Sequence, residues 1–275
     1  MATTRLDELV SAAFQMLAVR VTEVPFLEMR SRAEASPAPR DFKAALLRAR
    51  EHGAALIAEI KRASPSKGSF APDLDAAVIA GQYARGGAAC LSVLTDRTHF
   101  GGSLADLVAA RAGCELPVLR KDFIVTPYQL YEARVAGAGG VLVILRMLEP
   151  AQVAALLEAA AELKLFVLLE AFDESDLKFA ATLVRDYGPR LKLLVGVNCR
   201  DLSTLQVVPG RLETLAPSLP RGVPCVAESG VESAADAARL ARAGYQMALV
   251  GSALMRTGDR IGLARELLIA GRQCG

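Results

Sequence analysis

Only 7 of the 32 basic residues in this chain are lysines, and there are only two histidines, His52 and His99. Where each lysine falls is therefore informative. Lys61 follows Glu59 by two positions within Ala58–Gly68 (AEIKRASPSKG), and Lys121 closes an apolar run in Leu119-Arg120-Lys121-Asp122-Phe123. On an extended strand a spacing of two puts Ile57, Glu59 and Lys61 on one face. An ammonium can protonate a carbonyl or a departing hydroxyl, and a carboxylate can remove a proton. Neither is cheaply buried unless it is paired or used. Taken alone, Glu59 and Lys61 fit a structural ion pair equally well. The same pattern recurs, however. Glu170 follows one apolar run, Asn198 and Arg200 a second, Glu228, Ser229 and Gly230 a third, and Gly251 and Ser252 a fourth. Each is weak by itself, since a polar residue after a strand is ordinarily a solvated loop residue. Two lysines, three glutamates and an asparagine gathered at one end of a sheet would make a pocket holding both acids and bases.

The elements that must position them can be read from the apolar pattern. Strands are predicted at Leu56–Ile60, Cys90–Leu94, Pro117–Leu119, Val141–Leu145, Phe166–Leu169, Leu193–Val197, Pro224–Ala227 and Ala248–Val250. Most are continuously apolar, as strands buried on both faces of a parallel sheet are. Amphipathic segments between them predict helices at Leu74–Arg85, Leu104–Ala112, Pro127–Ala136, Pro150–Leu163, Glu174–Tyr187, Ala234–Ala243 and Arg260–Ala270, with a shorter one at Pro209–Leu215. Pro127 and Pro150 suit first-turn positions. Ser229 to Glu232 has capping-box spacing, which gives Ser229 a helix cap as its alternative role. Gly137, Gly188 and Gly244 suit left-handed helix ends.

Eight strand–helix units, at about 28 residues each, use the chain from residue 54 onward. The fold class expected is α/β, a (β/α)₈ TIM barrel with an N-terminal helical extension, in one domain spanning residues 1–275. An open doubly wound sheet is the alternative. Residues 1–53 are expected to form extra helices on the bottom or side of the barrel, from the Leu6, Val10, Phe14, Leu17 periodicity and the Phe42–His52 run. In such barrels phosphate is commonly held by the loops after the last two strands. Ser229-Gly230 and Gly251-Ser252 would let backbone N–H groups approach an anion there, and Ser64 and Lys67 on the first loop could complete the cradle. Gly137 to Gly140 precedes a strand, the wrong context for a dinucleotide fingerprint.

The composition narrows the function classes. A net charge of +2 argues against nucleic acid as a partner. No apolar run approaches the ~20 residues of a membrane span, and Asp7 and Glu8 stand where a signal peptide would be basic or apolar. Five cysteines at 90, 114, 199, 225 and 274, without a close pair, suggest a reduced, cytoplasmic protein. Two histidines cannot build a multi-histidine metal site.

With these residues placed, the chain resembles indole-3-glycerol-phosphate synthase from about Phe42 to Met255. The most specific stretch is Ala58–Gly68, an E-x-K-x-x-S-P-S-x-G pattern. Leu94-Thr-Asp96, Phe100-Gly-Gly-Ser103, Leu119–Ile124, Leu168-Leu-Glu170, Val197–Leu202, Ala227-Glu-Ser-Gly230 and Val250–Met255 support it in order. Ser69-Phe70-Ala71-Pro72 departs from the aliphatic-then-basic continuation of the first loop. The resemblance implies ring closure of 1-(2-carboxyphenylamino)-1-deoxyribulose 5-phosphate with loss of carbon dioxide and water, requiring no metal or organic cofactor. It implies catalytic roles for Lys121, Lys61, Glu170 and Glu59, substrate contacts from Asn198, Arg200, Glu228, Phe100 and Phe123, and phosphate contacts from Ser64, Ser229, Gly230, Gly251 and Ser252. Lys121 is the expected donor to the carbonyl oxygen and Lys61 to the departing hydroxyl, with either Glu170 or Glu59 removing the proton. For Phe100 and Phe123 the alternative is simple filling of the barrel mouth. The expected partner is a small sugar phosphate, with a monomeric state and weak association with other tryptophan-pathway enzymes. A Schiff-base aldolase and a catalytically silent phosphate-binding barrel are the rival readings.

Overall fold

The computed structural model describes residues 5–50, 54–64, 68–71 and 73–272. Eight parallel strands form a closed barrel: β1 (Ala55–Ile60), β2 (Cys90–Leu94), β3 (Val118–Lys121), β4 (Gly140–Ile144), β5 (Phe166–Ala171), β6 (Leu193–Asn198), β7 (Cys225–Glu228) and β8 (Met247–Val250). Each strand pairs with the next, and β8 pairs back to β1, so the open-sheet alternative is excluded. Almost every strand residue is buried. This is the physical reason the strands read as unbroken Val, Leu, Ile and Ala: one face fills the barrel and the other packs under the helices. The register sets Glu59 beside Ser92, Leu94 beside Lys121, Ile144 beside Glu170, and Asn198 beside Glu228. The polar residues thus occupy one end.

The helices are α1 (Arg5–Glu23), α2 (Phe26–Ala35), α3 (Phe42–Arg50), α4 (Ala76–Arg85), α5 (Arg97–Phe100), α6 (Leu104–Gly113), α7 (Pro127–Val135), α8 (Pro150–Glu162), α9 (Glu174–Tyr187), α10 (Arg211–Leu215), α11 (Ala234–Arg242), α12 (Ser252–Arg256) and α13 (Arg260–Arg272). Pro127 and Pro150 open α7 and α8, where a missing N–H costs nothing. The helix expected from Leu74 begins at Ala76, because Asp75 caps it and accepts from the N–H groups of Ala77 and Val78. Gly137 and Gly244 take the left-handed conformation expected of them, but Gly188 does not. The turn after α9 continues right-handed, with Arg190 and Leu191 both donating to the Tyr187 carbonyl. Glycine is needed at 188 for space, since a Cβ there would strike the Val184 carbonyl.

The N-terminal helices are tied to the barrel at three levels. Phe42 of α3 stacks on Phe166 at the start of β5, centroids 4.1 Å apart, on the end away from the polar residues. Just before α3, Arg40 donates to the carbonyl of Arg111 in the last turn of α6 and to those of Cys114 and Leu116 just after it. The Tyr128 hydroxyl of α7 donates to the carbonyls of Arg20 and Val24 at 3.1 and 2.8 Å. The expectation of a bottom or side position describes α2 and α3. α1 differs, because its Leu9 reaches the polar end of the barrel and lines the cavity there. Among the described residues no single helix is long and apolar enough to cross a membrane.

Candidate active site

A cavity opens at the C-terminal ends of the strands, and every one of the eight contributes to its lining. Lys121 ends β3, which runs two residues further than its apolar pattern suggests. Its ammonium is 3.0 Å from Glu170 Oε2, to which it donates, and 3.4 Å from Glu228 Oε2. Both glutamates are 1% exposed. Burial by itself would lower the Lys121 pKa. The negative charges of Glu170, Glu228 and Glu59, and the bond to Glu170, outweigh it and raise the pKa instead. Lys121 therefore stays an ammonium.

Glu228 is shaped by the opposite balance. Burial, then the neighbouring Glu170, push its carboxyl well above the ordinary 4.5, with Lys121 opposing them. Three acidic side chains (Glu59, Glu170, Glu228) face two lysines (Lys61, Lys121), so the cluster carries one acid in excess. Gly196 of β6 makes room for the Glu228 side chain, since a Cβ there would land on Glu228 Oε1. A raised folded-state pKa contributes stability that is complete below the unfolded value and is lost as pH rises through the folded one. Urea unfolding of Glu228→Gln should therefore match the native chain near pH 4.5 and gain on it steadily as pH rises. A stability difference that does not change with pH contradicts the upward shift of the Glu228 carboxyl.

Glu59 and Lys61 form a second pair at the end of β1, with Lys61 Nζ donating to Glu59 Oε1 at 2.8 Å. The Lys61 ammonium also lies 5.6 Å from the Phe70 ring centroid. Gly251 is the residue that permits this pair. A Cβ at 251 would collide with Glu59 Oε1 and come within 2.9 Å of Lys61 Nζ. Gly251→Ala should lower kcat/KM by roughly tenfold through a displaced Lys61. Steady-state kinetics at a temperature where the variant is folded will check this.

The remaining walls come from loops. Phe100, ending α5, and Phe123, just after β3, have ring centroids 6.4 Å apart, and the His99 ring meets Phe123 edge-on at 5.7 Å. Asn198 accepts the Arg200 N–H at 2.9 Å, and Arg200 Nη1 donates to the Leu205 carbonyl at 2.7 Å, which folds this loop along the cavity edge. Ser64, Ser229, Gly230, Gly251 and Ser252 line the same cavity, so every residue singled out in the sequence as a candidate meets in one place. Lys67, the further suggestion for the first loop, lies outside the described residues.

One reading of Ser229 is corrected. It does not cap α11. That cap is Ser233, whose side chain accepts from the Asp236 N–H while Asp236 accepts from the Ser233 N–H. A cap residue needs extended backbone. Ser229 instead has φ +66°, and Gly230 has φ +71°, so the chain turns left-handed directly after β7 and faces the cavity. A non-glycine residue in that region is held there by its surroundings and commonly belongs to a functional site.

Other lining residues escaped the sequence reading. Leu142 and Ile144 on β4 share the parity of Lys121 and Glu170, and the same alternation rule would have found them. His99 lies in the one-turn helix α5, Leu202, Leu205 and Val207 sit on a loop, and Leu9 arrives from α1. Glu232 pairs with Arg256 at 3.2 Å and joins the loop after β7 to α12. None of these carried a periodic signal.

A sequence profile described as indole-3-glycerol phosphate synthase matches residues 6–267. The chain is 43% identical over 266 residues to the indole-3-glycerol phosphate synthase of Parafrankia sp. (strain EAN1pec), covering 97% of this chain and 96% of that one. It is 44% identical over 255 residues to the protein of that name from Micrococcus luteus, covering 92% of each. Among solved structures, tryptophan synthase from M. tuberculosis (TM-score 0.60, 18% identity, 86% of this chain and 100% of that one) and a 3-hexulose-6-phosphate synthase (TM-score 0.59, 21% identity, 78% and 99%) share the barrel fold. A profile match along almost the entire length, together with relatives above 40% identity over more than nine tenths of both partners, means that this chain belongs to the indole-3-glycerol phosphate synthase family.

Proposed function

We propose that the charged cluster at the barrel mouth divides the proton transfers of the family's ring closure among named residues. The reaction turns 1-(2-carboxyphenylamino)-1-deoxyribulose 5-phosphate into indole-3-glycerol phosphate in tryptophan biosynthesis, making the protein a carboxy-lyase. The ring carbon bearing the carboxylate attacks the ketose carbonyl carbon, whose oxygen must take a proton as the bond forms. Carbon dioxide then leaves, and its bonding electron pair restores the aromatic ring. Finally the new hydroxyl departs as water, and the adjacent carbon gives up a proton to complete the indole.

Lys121 is assigned the first proton. The observation that carries this is its ammonium between Glu170 and Glu228 at 3.0 and 3.4 Å, facing the cavity yet 13% exposed. Carboxylates that hold a lysine charged make it a proton donor and a poor nucleophile, which weighs against an imine-forming aldolase. Lys61, paired with Glu59, is assigned to the departing hydroxyl. Glu170, which shares a hydrogen bond with Lys121, is assigned proton removal, and Glu59 is the alternative base. Asn198, Arg200 and Glu228 would hold the sugar hydroxyls and the carboxylate, and Phe100 and Phe123 would flank the aromatic ring. Phosphate would lie against Ser64, Ser229, Gly230, Gly251 and Ser252. The first N–H groups of α12 have no carbonyl partner within their own helix, which supports that placement.

The near-neutral charge and the free thiols of Cys90, Cys114, Cys199 and Cys225 support a cytoplasmic enzyme. We assign it a free sugar-phosphate substrate, no nucleic-acid or membrane partner, a monomeric state and weak association with other enzymes of the pathway. The deciding experiment gives the purified chain the carboxyphenylamino sugar phosphate and follows indole fluorescence. Fluorescence should rise with time. A chain that binds indoleglycerol phosphate and generates no indole would instead be a silent phosphate-binding barrel. Borohydride added during turnover should leave no adduct on Lys61 or Lys121.

A further inference from the structure

Arg120 is among the largest side chains with no exposed surface at all, and it takes no part in the proton transfers above. Alternation along β3 turns it away from the cavity while Lys121 points in. Its guanidinium is the centre of a buried network. Nε donates to Thr95 Oγ1 at 3.2 Å and to Asp122 Oδ2 at 3.1 Å, and Nη2 donates to Asp122 Oδ2 at 2.8 Å. Nη1 donates to the Gln129 carbonyl at 2.7 Å and to Glu132 Oε2 at 3.3 Å. Three of these partners, Thr95, Asp122 and Gln129, hold backbone beside the active site. The Thr95 N–H donates to the Lys121 carbonyl at 3.1 Å, and its hydroxyl donates to Asp122 at 2.6 Å. The Phe123 N–H donates to Asp122 Oδ1 at 2.9 Å, and the Gln129 side chain donates to the Phe123 carbonyl at 2.9 Å. Glu132 continues to Arg20 of α1 at 3.1 Å.

Buried ion networks are poor devices for stability. Apolar residues of similar volume often do as well or better. What a planar, forked guanidinium supplies is fixed geometry among several partners at once. We infer that Arg120 is a positioning residue: through Thr95, Asp122 and Gln129 it locks the backbone on both sides of Lys121, and so sets together the direction of the proton-donating ammonium and of the Phe123 ring. The inference rests on Lys121 as the donor. A misplacement of about 1 Å at a reacting group can cost on the order of 10²-fold in rate.

The test is Arg120→Lys, which keeps the charge and loses the fork, with Thr95→Val as a near-isosteric second variant. Both are assayed well below their thermal midpoints. Arg120→Lys should lower kcat at least tenfold with KM within threefold of the native value, and Thr95→Val should lower kcat more than threefold with the same KM. A merely structural role would lower the midpoint and leave kcat of the folded protein unchanged. If both variants fold and keep kcat within threefold, the inference is overturned, and if Arg120→Lys does not fold, Thr95→Val decides by the same limit. Lys121→Ala, run alongside, separates the two claims. A fully active Lys121→Ala removes the donor assignment itself, whereas an inactive one beside active Arg120 and Thr95 variants removes only the positioning role.

Discussion

Lys121→Ala should lower kcat by roughly 10³-fold or more, about 4 kcal/mol of transition-state stabilisation, while a non-reacting substrate analogue binds within a few-fold of its native affinity. The split follows from where the ammonium sits. Its hydrogen-bond partner, Glu170, belongs to the protein, and its job arises only when negative charge develops on the carbonyl oxygen. An interaction made chiefly in the transition state appears in kcat and hardly in ground-state affinity. The substitution also strands two buried carboxylates, so some loss of stability should accompany it. Unfolding curves recorded with the kinetics will separate the two effects. A variant that loses affinity at normal kcat would make Lys121 a binding residue and end the donor assignment.

Glu170→Gln should be the next most damaging change, with kcat lower by about 10²- to 10³-fold. The carboxylate has two tasks, keeping Lys121 charged and accepting a proton late in the reaction. Glutamine keeps the size and can still accept a hydrogen bond from Lys121, but it supplies neither the negative charge nor a base. Two measurements distinguish the tasks. If proton removal is the lost function, single-turnover experiments should show carbon dioxide released before the indole fluorescence. If holding Lys121 is the larger part, carbon dioxide release should slow as much as indole formation. Turnover within threefold of native would remove Glu170 from the proton transfers and leave Glu59 as the base.

These expectations rest on a site whose components could largely be read before their arrangement was known. The strands are buried on both faces, so their apolar runs are continuous and easily recognised. Because side chains alternate, Glu59 and Lys61 had to share a face. The residues after the runs in a parallel barrel had to meet at one end. Boundaries were less legible. β3 extends through Arg120 and Lys121 although both are charged, because one is neutralised beneath α7 and the other among the carboxylates. The Ser229 cap was misread because Ser233, four residues later, offers the same chemistry and only backbone conformation distinguishes them.

By itself the chain's order of residues determined the strand–helix repeat, the end of the barrel that carries the chemistry, and the residue types gathered there. Periodicity and strand parity are local properties, so they survive in one dimension. Only the tertiary structure decided which carboxylate stands beside which ammonium, that burial and Glu170 push the Glu228 carboxyl upward, that Gly196 and Gly251 are hollows for carboxylates, and that Leu9 reaches the mouth from α1. Those facts depend on distances of a few ångströms between residues scores of positions apart. Barrel closure sets such distances, and no spacing along the chain encodes them.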